Sequence, residues 1–223
     1  MSQSESPPSS NAGETPVPQA VVNRLSLYLR ELQHLVRDGH QTASSTQIGK
    51  LLGFTDAQVR KDLAYFGPFG YPGVGYRCQE LIDAIKKILG TNQVWPVVLI
   101  GAGNLGRALL GYKGFGNQGF RVIAAFDGDP SKVGRKIDGV DVLPLDQLKS
   151  TIEAQKIRIA IVAVPATSAQ AVADTLVEAG ISGILNFAPV TLNVPKDVHV
   201  VGVDLAIELE QLAYAVVNRQ SRE

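Results

Sequence analysis

Three glycines in the middle of the chain form the first pattern whose spacing indicates a chemistry. Gly101, Gly103 and Gly106 lie in "GAGNLG", directly after the apolar run "VWPVVLI" and before a segment that favours a helix. Between a strand and a helix, this spacing turns free backbone N–H groups and the positive end of the helix dipole toward a phosphate. The pattern therefore predicts a turn that holds the pyrophosphate of a dinucleotide, with a tight turn that binds no ligand as the alternative.

Asp127 is the second part of this predicted site. It ends the next apolar run, "FRVIAAFD", where a carboxylate can accept hydrogen bonds from the hydroxyls of the adenosine ribose. Because it would repel a 2′-phosphate, it favours NAD(H) over NADP(H). Lys132 and Arg135 are close enough to weaken that preference, although a solvated loop is the simpler explanation of both. The predicted nucleotide-binding residues are Gly101, Ala102, Gly103, Asn104, Leu105, Gly106, Asp127, Val164, Pro165 and Phe187.

Residues that could catalyse hydride transfer are scarce. An NAD-dependent enzyme needs a group that moves a proton and walls that hold a substrate against the nicotinamide. His34 and His40 fall in the helical first part of the chain, His199 opens the last predicted strand, and Tyr112-Lys113 lacks the spacing of a Tyr-xxx-Lys pair. Residues 205–223 are too few for a substrate domain. The sequence favours a nucleotide that is bound without turnover, with an oxidoreductase as the alternative.

A second candidate site lies on the helix predicted over "DAQVRKDLAYF". Its polar side presents Gln58, Arg60, Lys61, Asp62 and Tyr65, which suits a recognition helix that places amide and basic groups on bases and phosphates. A polar surface helix, or a winged helix used only for protein contacts, is the alternative. The predicted DNA-binding residues are Ser45, Thr46, Gln58, Arg60, Lys61 and Tyr65.

The elements around this helix indicate a winged-helix domain. Apolar residues at three- and four-residue steps predict a first helix from Val21 to about Asp38, and a short helix follows over "SSTQIGKLLG". Thr55 can cap the recognition helix. The glycines and prolines of "GPFGYPGVGYR" predict a tight hairpin, and "ELIDAIKKILG" predicts a fourth helix. Between residues 21 and 92, nine Lys and Arg against six Asp and Glu make this part mildly basic.

The second half of the chain alternates strands and helices. The predicted strands are "VWPVVLI", "FRVIAAFD", "IRIAIVAVP", "GILNFAP" and "VHVVGVD", apolar at nearly every position as in strands buried on both faces. This pattern predicts a Rossmann-type doubly wound parallel sheet. "AIELEQLAYAVVNRQ" predicts a terminal helix with an apolar side. The fold class is therefore α/β, with residues 1–18 as a disordered tail, 19–91 as a winged-helix domain, 92–205 as a Rossmann domain and 206–223 as the last helix.

Composition limits the kinds of ligand and the cellular location that the sequence predicts. The 223 residues carry no net charge and 45% are apolar, so any nucleic-acid surface must be local. Cys78 is the single cysteine, and no cysteine or histidine cluster could hold zinc, which fits a reducing cytoplasm and predicts no metal. The chain starts without the pattern of a signal peptide and contains no apolar run long enough for a membrane span. We therefore expect a cytoplasmic protein without a membrane partner.

Seven segments in order resemble one family. "RLSLYLREL", "TQIGKLLGFTDAQVRKDLAYFG", "GVGY", "LIGAGNLGRALLGYKGF", "FDGDPSKVG", "GILNFAPV" and "VDLAIELEQLAYAV" closely resemble the Rex family of redox-sensing transcriptional repressors, from about residue 17 to 220. The resemblance implies a homodimer with swapped C-terminal helices that binds a palindromic operator when NADH is scarce. It also implies that bound NADH closes the nucleotide domains on each other and displaces the DNA-binding heads.

The same resemblance implies roles for individual residues. Arg60 and Lys61 would contact DNA, and Arg30, Tyr112 and Asp204 would form a switch. In that switch, Asp204 of one subunit pairs with Arg30 in the DNA-competent form and with the Tyr112 hydroxyl in the NADH form. Simpler explanations stay open: a solvated Arg30, a core Tyr112 with a satisfied hydroxyl, and an Asp204 that caps a helix.

The wing departs from the family pattern. Family members usually carry a basic residue just before the glycine of "GVGY", where this chain has Tyr71-Pro72-Gly73. An arginine there suits a narrow minor groove, so we expect weaker or relaxed DNA binding, with Arg77 as a possible substitute from the other strand.

A preference for NADH over NAD⁺ has a simple physical basis. The two forms differ by one charge on the nicotinamide ring, and a pocket lined by "VAVPA" and "NFAP" would penalise the cation through desolvation. A preference of about a hundredfold needs only about 2.7 kcal/mol.

Overall fold

The structure, a computed structural model, describes residues 17–220. The chain divides into two compact units, Met1–Asn92 and Gln93–Glu223. The predicted disordered tail lies outside the described residues, apart from its last two positions, and so do residues 221–223.

Between residues 17 and 92, the first unit contains four helices and a small sheet. Their bounds are α1 Gln19–Arg37, β1 Thr42–Ala43, α2 Ser45–Leu52, α3 Asp56–Ala64, β2 Tyr76–Arg77 and α4 Cys78–Ile88. The core lies between α1, α3 and α4, where Leu25, Leu32, Val59 and Ile85 are fully buried. The predicted winged-helix layout is confirmed.

Local signals fix the helix-turn-helix. The Ser44 hydroxyl accepts a hydrogen bond from the Gln47 N–H at 3.0 Å and begins α2, and the Thr55 hydroxyl accepts one from the Gln58 N–H at 3.1 Å and begins α3. Gly53 ends α2 with φ of 75°, in the left-handed region that glycine adopts most easily. The turn between the two helices is therefore specified by the residues at its ends.

The wing differs in detail from the predicted hairpin. Tyr71 and Gly75 form a single bridge across a tight turn. The strand that follows, β2, pairs antiparallel with β1, so that Thr42 lies opposite Arg77 and Ala43 opposite Tyr76. The sequence pattern did not indicate β1, because two residues are too short for any periodicity.

The second unit is a seven-stranded sheet with helices. Its strands are β3 Trp95–Ile100, β4 Phe120–Asp127, β5 Lys136–Ile137, β6 Val140–Pro144, β7 Ile159–Val162, β8 Gly183–Asn186 and β9 His199–Gly202, in the order β5-β6-β4-β3-β7-β8-β9. Its helices are α5 Asn104–Leu110, α6 Gly114–Asn117, α7 Leu148–Gln155, α8 Ala166–Glu178 and α9 Leu205–Gln220.

The strand order is that of a doubly wound nucleotide-binding fold. All neighbours except the β5·β6 pair are parallel. The chain starts at the central strand β3, builds outward through β4 and β6, and returns through β7 to the other side. The order reverses beside β3, which makes its carboxyl end the crevice where ligands bind in such sheets. The predicted Rossmann-type sheet is confirmed.

Two parts of this unit depart from the expected pattern. The β5–β6 hairpin was not predicted, and β9 is not buried on both faces: it is the edge strand, and Val201 is exposed. The apolar residues Leu205, Ile207, Leu209, Leu212, Tyr214, Val216 and Val217 along α9 are also exposed.

Candidate nucleotide and DNA sites

The carboxyl ends of four parallel strands bring the predicted nucleotide residues to one edge of the sheet. Backbone bonds tie the loops there: the Gly101 N–H donates to the Phe126 carbonyl at 2.8 Å, and the Phe187 N–H donates to the Val162 carbonyl at 2.8 Å. Between them, the Ala163 N–H donates to the carbonyl that ends β3, also at 2.8 Å. The glycine turn and the segments 163–165 and 186–188 therefore face the same crevice.

The three motif glycines have different surroundings. At Gly101, which has φ of 99°, a Cβ would collide with the Ala163 carbonyl, and at Gly106 it would collide with the Gly101 carbonyl. A Cβ at Gly103, the residue before α5, would meet nothing within 4 Å. No side chain covers the backbone of this turn at Gly103, where α5 begins. A pyrophosphate could therefore come close to the backbone N–H groups there. This turn fits a dinucleotide.

Asp127 is buried and already oriented. Its Oδ2 accepts from the Ala102 N–H at 2.8 Å and from the Lys132 ammonium at 3.1 Å, and its Oδ1 accepts from the Asp129 N–H at 2.8 Å. Burial opposes ionisation, but these three bonds outweigh it and hold the pKa of Asp127 below its ordinary value. Oδ1 accepts only one of them and so retains capacity for a ribose hydroxyl.

Lys132 lies in the turn between β4 and β5, and its side chain is 35% exposed. Its ammonium is ion-paired with Asp127 and lies 3.8 Å from Asp129. Arg135, three residues later, is exposed.

The remaining predicted nucleotide residues line the crevice with different exposure. Ala102 is buried and binds Asp127 through its N–H, whereas Asn104 and Leu105 are exposed in the first turn of α5. Val164 and Phe187 are half-buried, and Pro165 is exposed at the start of α8. Beyond β8 and β9 a cleft of about 420 Å³ continues from this edge, lined by Ala188, Pro189, Asp204 and Ile207 among others.

The predicted DNA-binding residues are grouped on α2 and α3. Thr46, Arg60, Lys61 and Tyr65 are exposed, and Ser45 and Gln58 are half-buried. The Arg60 guanidinium donates to the Asp56 carboxylate at 2.7 Å and to the Ser45 hydroxyl at 3.1 Å. It therefore links the first turns of α2 and α3 on one surface, where phosphates could replace the carboxylate.

Asp62 does not lie on the polar side of α3, so this part of the sequence interpretation is wrong. The residue is only 1% exposed and is bonded to Arg24 and Tyr28 of α1 and to Gln58. Spacing could have revealed it, because Asp62 stands three residues after Val59 and four before Phe66, on the apolar stripe. Arg24 and Tyr28 were missed because a pairing across 34 to 38 residues leaves no local pattern.

Side chains at the base of the wing form a compact cluster. The Arg77 guanidinium lies 4.7 Å from the centre of the Tyr71 ring and donates to Glu80 at 2.8 Å. The Tyr71 hydroxyl donates to the other oxygen of Glu80 at 3.2 Å. Arg77 is thus engaged by a carboxylate and a ring in an exposed cluster, and its use as a substitute for a wing arginine stays a prediction.

The three suggested switch residues are placed on separate elements. Arg30 of the first unit is exposed, with its guanidinium 3.4 Å from Glu31. In the second unit, Tyr112 is exposed rather than a core residue, and its ring packs edge-on against Phe115. Asp204 accepts a hydrogen bond from the Ala206 N–H at 2.9 Å and so caps α9.

The described residues offer neither a metal site nor a membrane-spanning helix. Within residues 17–220, no group of three or more histidines, cysteines, aspartates and glutamates is placed to hold a metal ion. In the same part of the chain, no helix has both the length and the apolar character that a membrane span requires.

The sequence matches two known families. Residues 92–190 match the family described as "CoA binding domain", and residues 16–64 match the family described as "Putative DNA-binding protein N-terminus". These ranges contain the glycine turn and the helix-turn-helix, respectively.

A curated relative matches nearly the whole chain. The redox-sensing transcriptional repressor Rex of Carboxydothermus hydrogenoformans is 51% identical over 200 residues, which cover 90% of this chain and 96% of the relative.

Solved structures of a Rex-family repressor are also similar. The structure of RSP in complex with β-NAD⁺ and operator DNA has a TM-score of 0.87 and 38% identity, covering 92% of this chain and 95% of that one. The structure of RSP in complex with β-NADH has a TM-score of 0.83 and 37% identity, with coverage of 92% and 97%.

Proposed function

Because the chain belongs to the Rex family of redox-sensing transcriptional repressors, we propose that it binds operator DNA through α2 and α3 and releases that DNA when NADH binds the glycine turn. The observation that supports this proposal most strongly is that one chain contains both DNA-binding helices and a nucleotide crevice. A helix-turn-helix that exposes Arg60 and Lys61 stands in the same chain as a Rossmann crevice with a glycine turn whose backbone is open at Gly103.

The protein is a repressor and not an enzyme, and its nucleotide is an effector. A pyrophosphate would lie on the N–H groups that open α5, over Gly103, and a ribose hydroxyl would bind Asp127. Val164, Pro165 and Phe187 would surround the nicotinamide. Their apolar side chains cannot solvate a cationic ring, so we expect tighter binding of the neutral reduced form.

DNA recognition is assigned to both helices. We propose that Arg60 and Lys61 bind phosphates of the DNA. Ser45 and Thr46, at the start of α2, would contact the sugar-phosphate backbone, and Tyr65 would contact the DNA beyond the end of α3. One such head offers fewer contacts than the six to ten phosphates, roughly, that tight binding commonly uses. A palindromic operator read by two heads would double the number.

A homodimer is therefore part of the proposal, with α9 as the swapped element. Its row of exposed apolar side chains is larger than a helix of a soluble monomer usually leaves in water. A second copy of this chain would cover it. Such a repressor works where its operator is, so we place the protein in the cytoplasm.

The switch follows from this arrangement. NADH can shift the conformational equilibrium only if it binds one conformation more tightly than the other. We propose that contacts of Tyr112, Asp204 and Arg30 produce this difference in affinity. Asp204 caps α9, so a change of its side-chain partner from Arg30 to Tyr112 would alter the start of that helix directly.

Selection of DNA by the purified protein tests the repressor function. The protein is incubated with a randomised duplex pool, and recovered sequences are measured against a scrambled duplex at fixed salt. We expect a palindrome bound about a thousandfold or more tighter than the scrambled duplex. Recovery of no preferred sequence would contradict the proposal and would favour a protein-interaction module.

A further inference from the structure

The carboxylate of Asp62 is saturated with hydrogen bonds. Arg24 donates to both oxygens, from Nε to Oδ2 at 2.6 Å and from Nη2 to Oδ1 at 2.9 Å. The Tyr28 hydroxyl donates to Oδ2 at 2.7 Å, and Nε2 of Gln58 donates to Oδ1 at 2.7 Å. Each oxygen thus accepts two bonds, which is the full capacity of a carboxylate.

This carboxylate fixes the orientation of the Gln58 amide. Desolvation opposes ionisation of Asp62, but the bonds from Arg24, Tyr28 and Gln58 outweigh it, so its pKa lies below the ordinary value and the group stays an anion. An anionic carboxylate only accepts hydrogen bonds, so the amide nitrogen of Gln58 must face it. Oε1 and the second hydrogen of Nε2 remain to bind another molecule.

Gln58 stands where recognition helices contact bases. It is the third residue of α3, the second helix of the helix-turn-helix, and its own N–H is held by Thr55. Residues near the start of a recognition helix reach the base edges in the major groove. An acceptor beside a donor matches adenine, whose edge there presents the N6 amino group and the N7 acceptor.

We propose that Gln58 reads one adenine in each half of the operator, and that Asp62, held by Arg24 and Tyr28, is the positioning residue that fixes the polarity of its amide. Oε1 accepts from adenine N6 and Nε2 donates to N7. The inference rests on the proposed function, because it needs operator DNA against α3. A merely structural role, in which the Gln58–Asp62 bond only stabilises the helix, gives different results in the experiment below.

The test is a base-by-base profile of the full-length protein. Every position of the palindrome that the protein selects is substituted in turn, and affinities are measured for the unaltered protein, Gln58→Ala and Gln79→Ala. Gln79 is the matched control, because it donates to Asp83 four residues later at 3.0 Å, on α4 rather than on the recognition helix. We expect Gln58→Ala to lose discrimination of about 5- to 100-fold at one A·T pair per half-site. Its profile elsewhere and its salt slope should be unchanged, and Gln79→Ala should keep the whole profile.

A base analogue tests the same contact without altering the protein. Replacing that adenine by purine, which lacks the N6 amino group, should weaken binding by the unaltered protein and have little effect on Gln58→Ala. In Asp62→Asn the new amide can donate to Oε1 of Gln58, so the glutamine turns its nitrogen outward and the preference should shift from adenine toward guanine. The unfolding temperature of each variant shows whether it folds.

Three outcomes would overturn the inference. Uniform weakening of every duplex by Gln58→Ala would mean a structural role only, and an unchanged profile would mean that Gln58 does not face DNA. Equal binding of adenine and purine by the unaltered protein would exclude the contact even if Asp62→Asn fails to fold. An unaltered protein without any base discrimination would instead contradict the proposed function itself.

Discussion

The glycines of the nucleotide turn have two separate explanations, one in the packing of the fold and one in access for a ligand. Gly101 and Gly106 are required by the fold, because any side chain there would strike a backbone carbonyl. Gly103 has room for a side chain and φ of −75°, which other residues also adopt. The fold therefore does not require glycine at position 103, and the absence of a side chain there fits the proposed approach of a pyrophosphate to the backbone.

Alanine substitutions should separate the two demands. Gly103→Ala should keep the unfolding temperature and lower the affinity for NADH by about tenfold or more, because a methyl group occupies the place of the pyrophosphate. Gly106→Ala should lower the free energy of unfolding by about 1–3 kcal/mol through overpacking. Calorimetry of unfolding and of nucleotide binding measures both. Unchanged NADH affinity in Gly103→Ala would place the pyrophosphate elsewhere.

Asp62 should make the first unit sensitive to acid. Its pKa is below the ordinary value of 3.8 in the folded protein, so the stabilisation that it supplies is complete above that value and is lost as pH falls through the folded pKa. The gap in urea midpoint between the unaltered protein and Asp62→Asn should therefore narrow from about pH 5 to pH 2. A gap that does not change with pH would show that the charge of Asp62 does not stabilise the fold.

Residues with local signals could be predicted, and residues joined only through tertiary contacts could not. The glycine turn and Asp127 follow from spacing along one strand-turn-helix unit. The pairing of Arg24 with Asp62 joins α1 to α3 across 38 residues, and no local pattern records it. The pairing of Lys132 with Asp127 spans five residues and depends on the conformation of the turn after β4. Charge alone therefore placed Asp62 on the surface, although it is 1% exposed, and gave no sign of the ion pair that Lys132 forms.

Among the elements, the wing is the part for which the resemblance to the family predicts a basic residue that this chain lacks. Its turn carries Pro72 between Tyr71 and Gly73, and the nearby Arg77 is held by Glu80. The turn of the wing therefore lacks the positive charge that an arginine at position 72 would add.

Adding an arginine to the wing should strengthen DNA binding. Pro72→Arg should bind the operator more tightly, and its plot of log affinity against log salt should steepen by about 0.9 for each added phosphate contact. Pro72→Gln controls for the loss of proline without added charge. Measurement by fluorescence anisotropy at several salt concentrations is sufficient. Equal affinity and slope for Pro72→Arg and the unaltered protein would refute this account of the wing.

The long elements could be predicted and the short ones could not. Helices α1, α4 and α8 and the central strands have strong periodicity or continuous apolar runs. The β1–β2 pair and the β5–β6 hairpin have strands of two to five residues, and their pairing is decided by neighbours in the sheet. The exposure of β9 follows from its place at the edge, which no local pattern records.

For the whole molecule, the exposed apolar side of α9 is the surface that we propose a second copy of this chain covers. Replacing Leu212, which is 59% exposed, with glutamate should convert the proposed dimer to a monomer, because a charge would be buried in the proposed interface. Glu210→Gln on the same helix is the control. Sedimentation at several protein concentrations measures the change. A Leu212→Glu protein that remains fully dimeric would exclude this surface from the interface.

The most direct test of redox-controlled repression is release of the operator by nucleotide. A labelled palindromic duplex bound to the full-length protein is titrated with NADH and, separately, with NAD⁺ at fixed salt, and the bound fraction is followed by anisotropy. We expect release of the duplex at micromolar NADH and its retention at the same concentration of NAD⁺. Retention of DNA at saturating NADH, or equal release by both nucleotides, would contradict it.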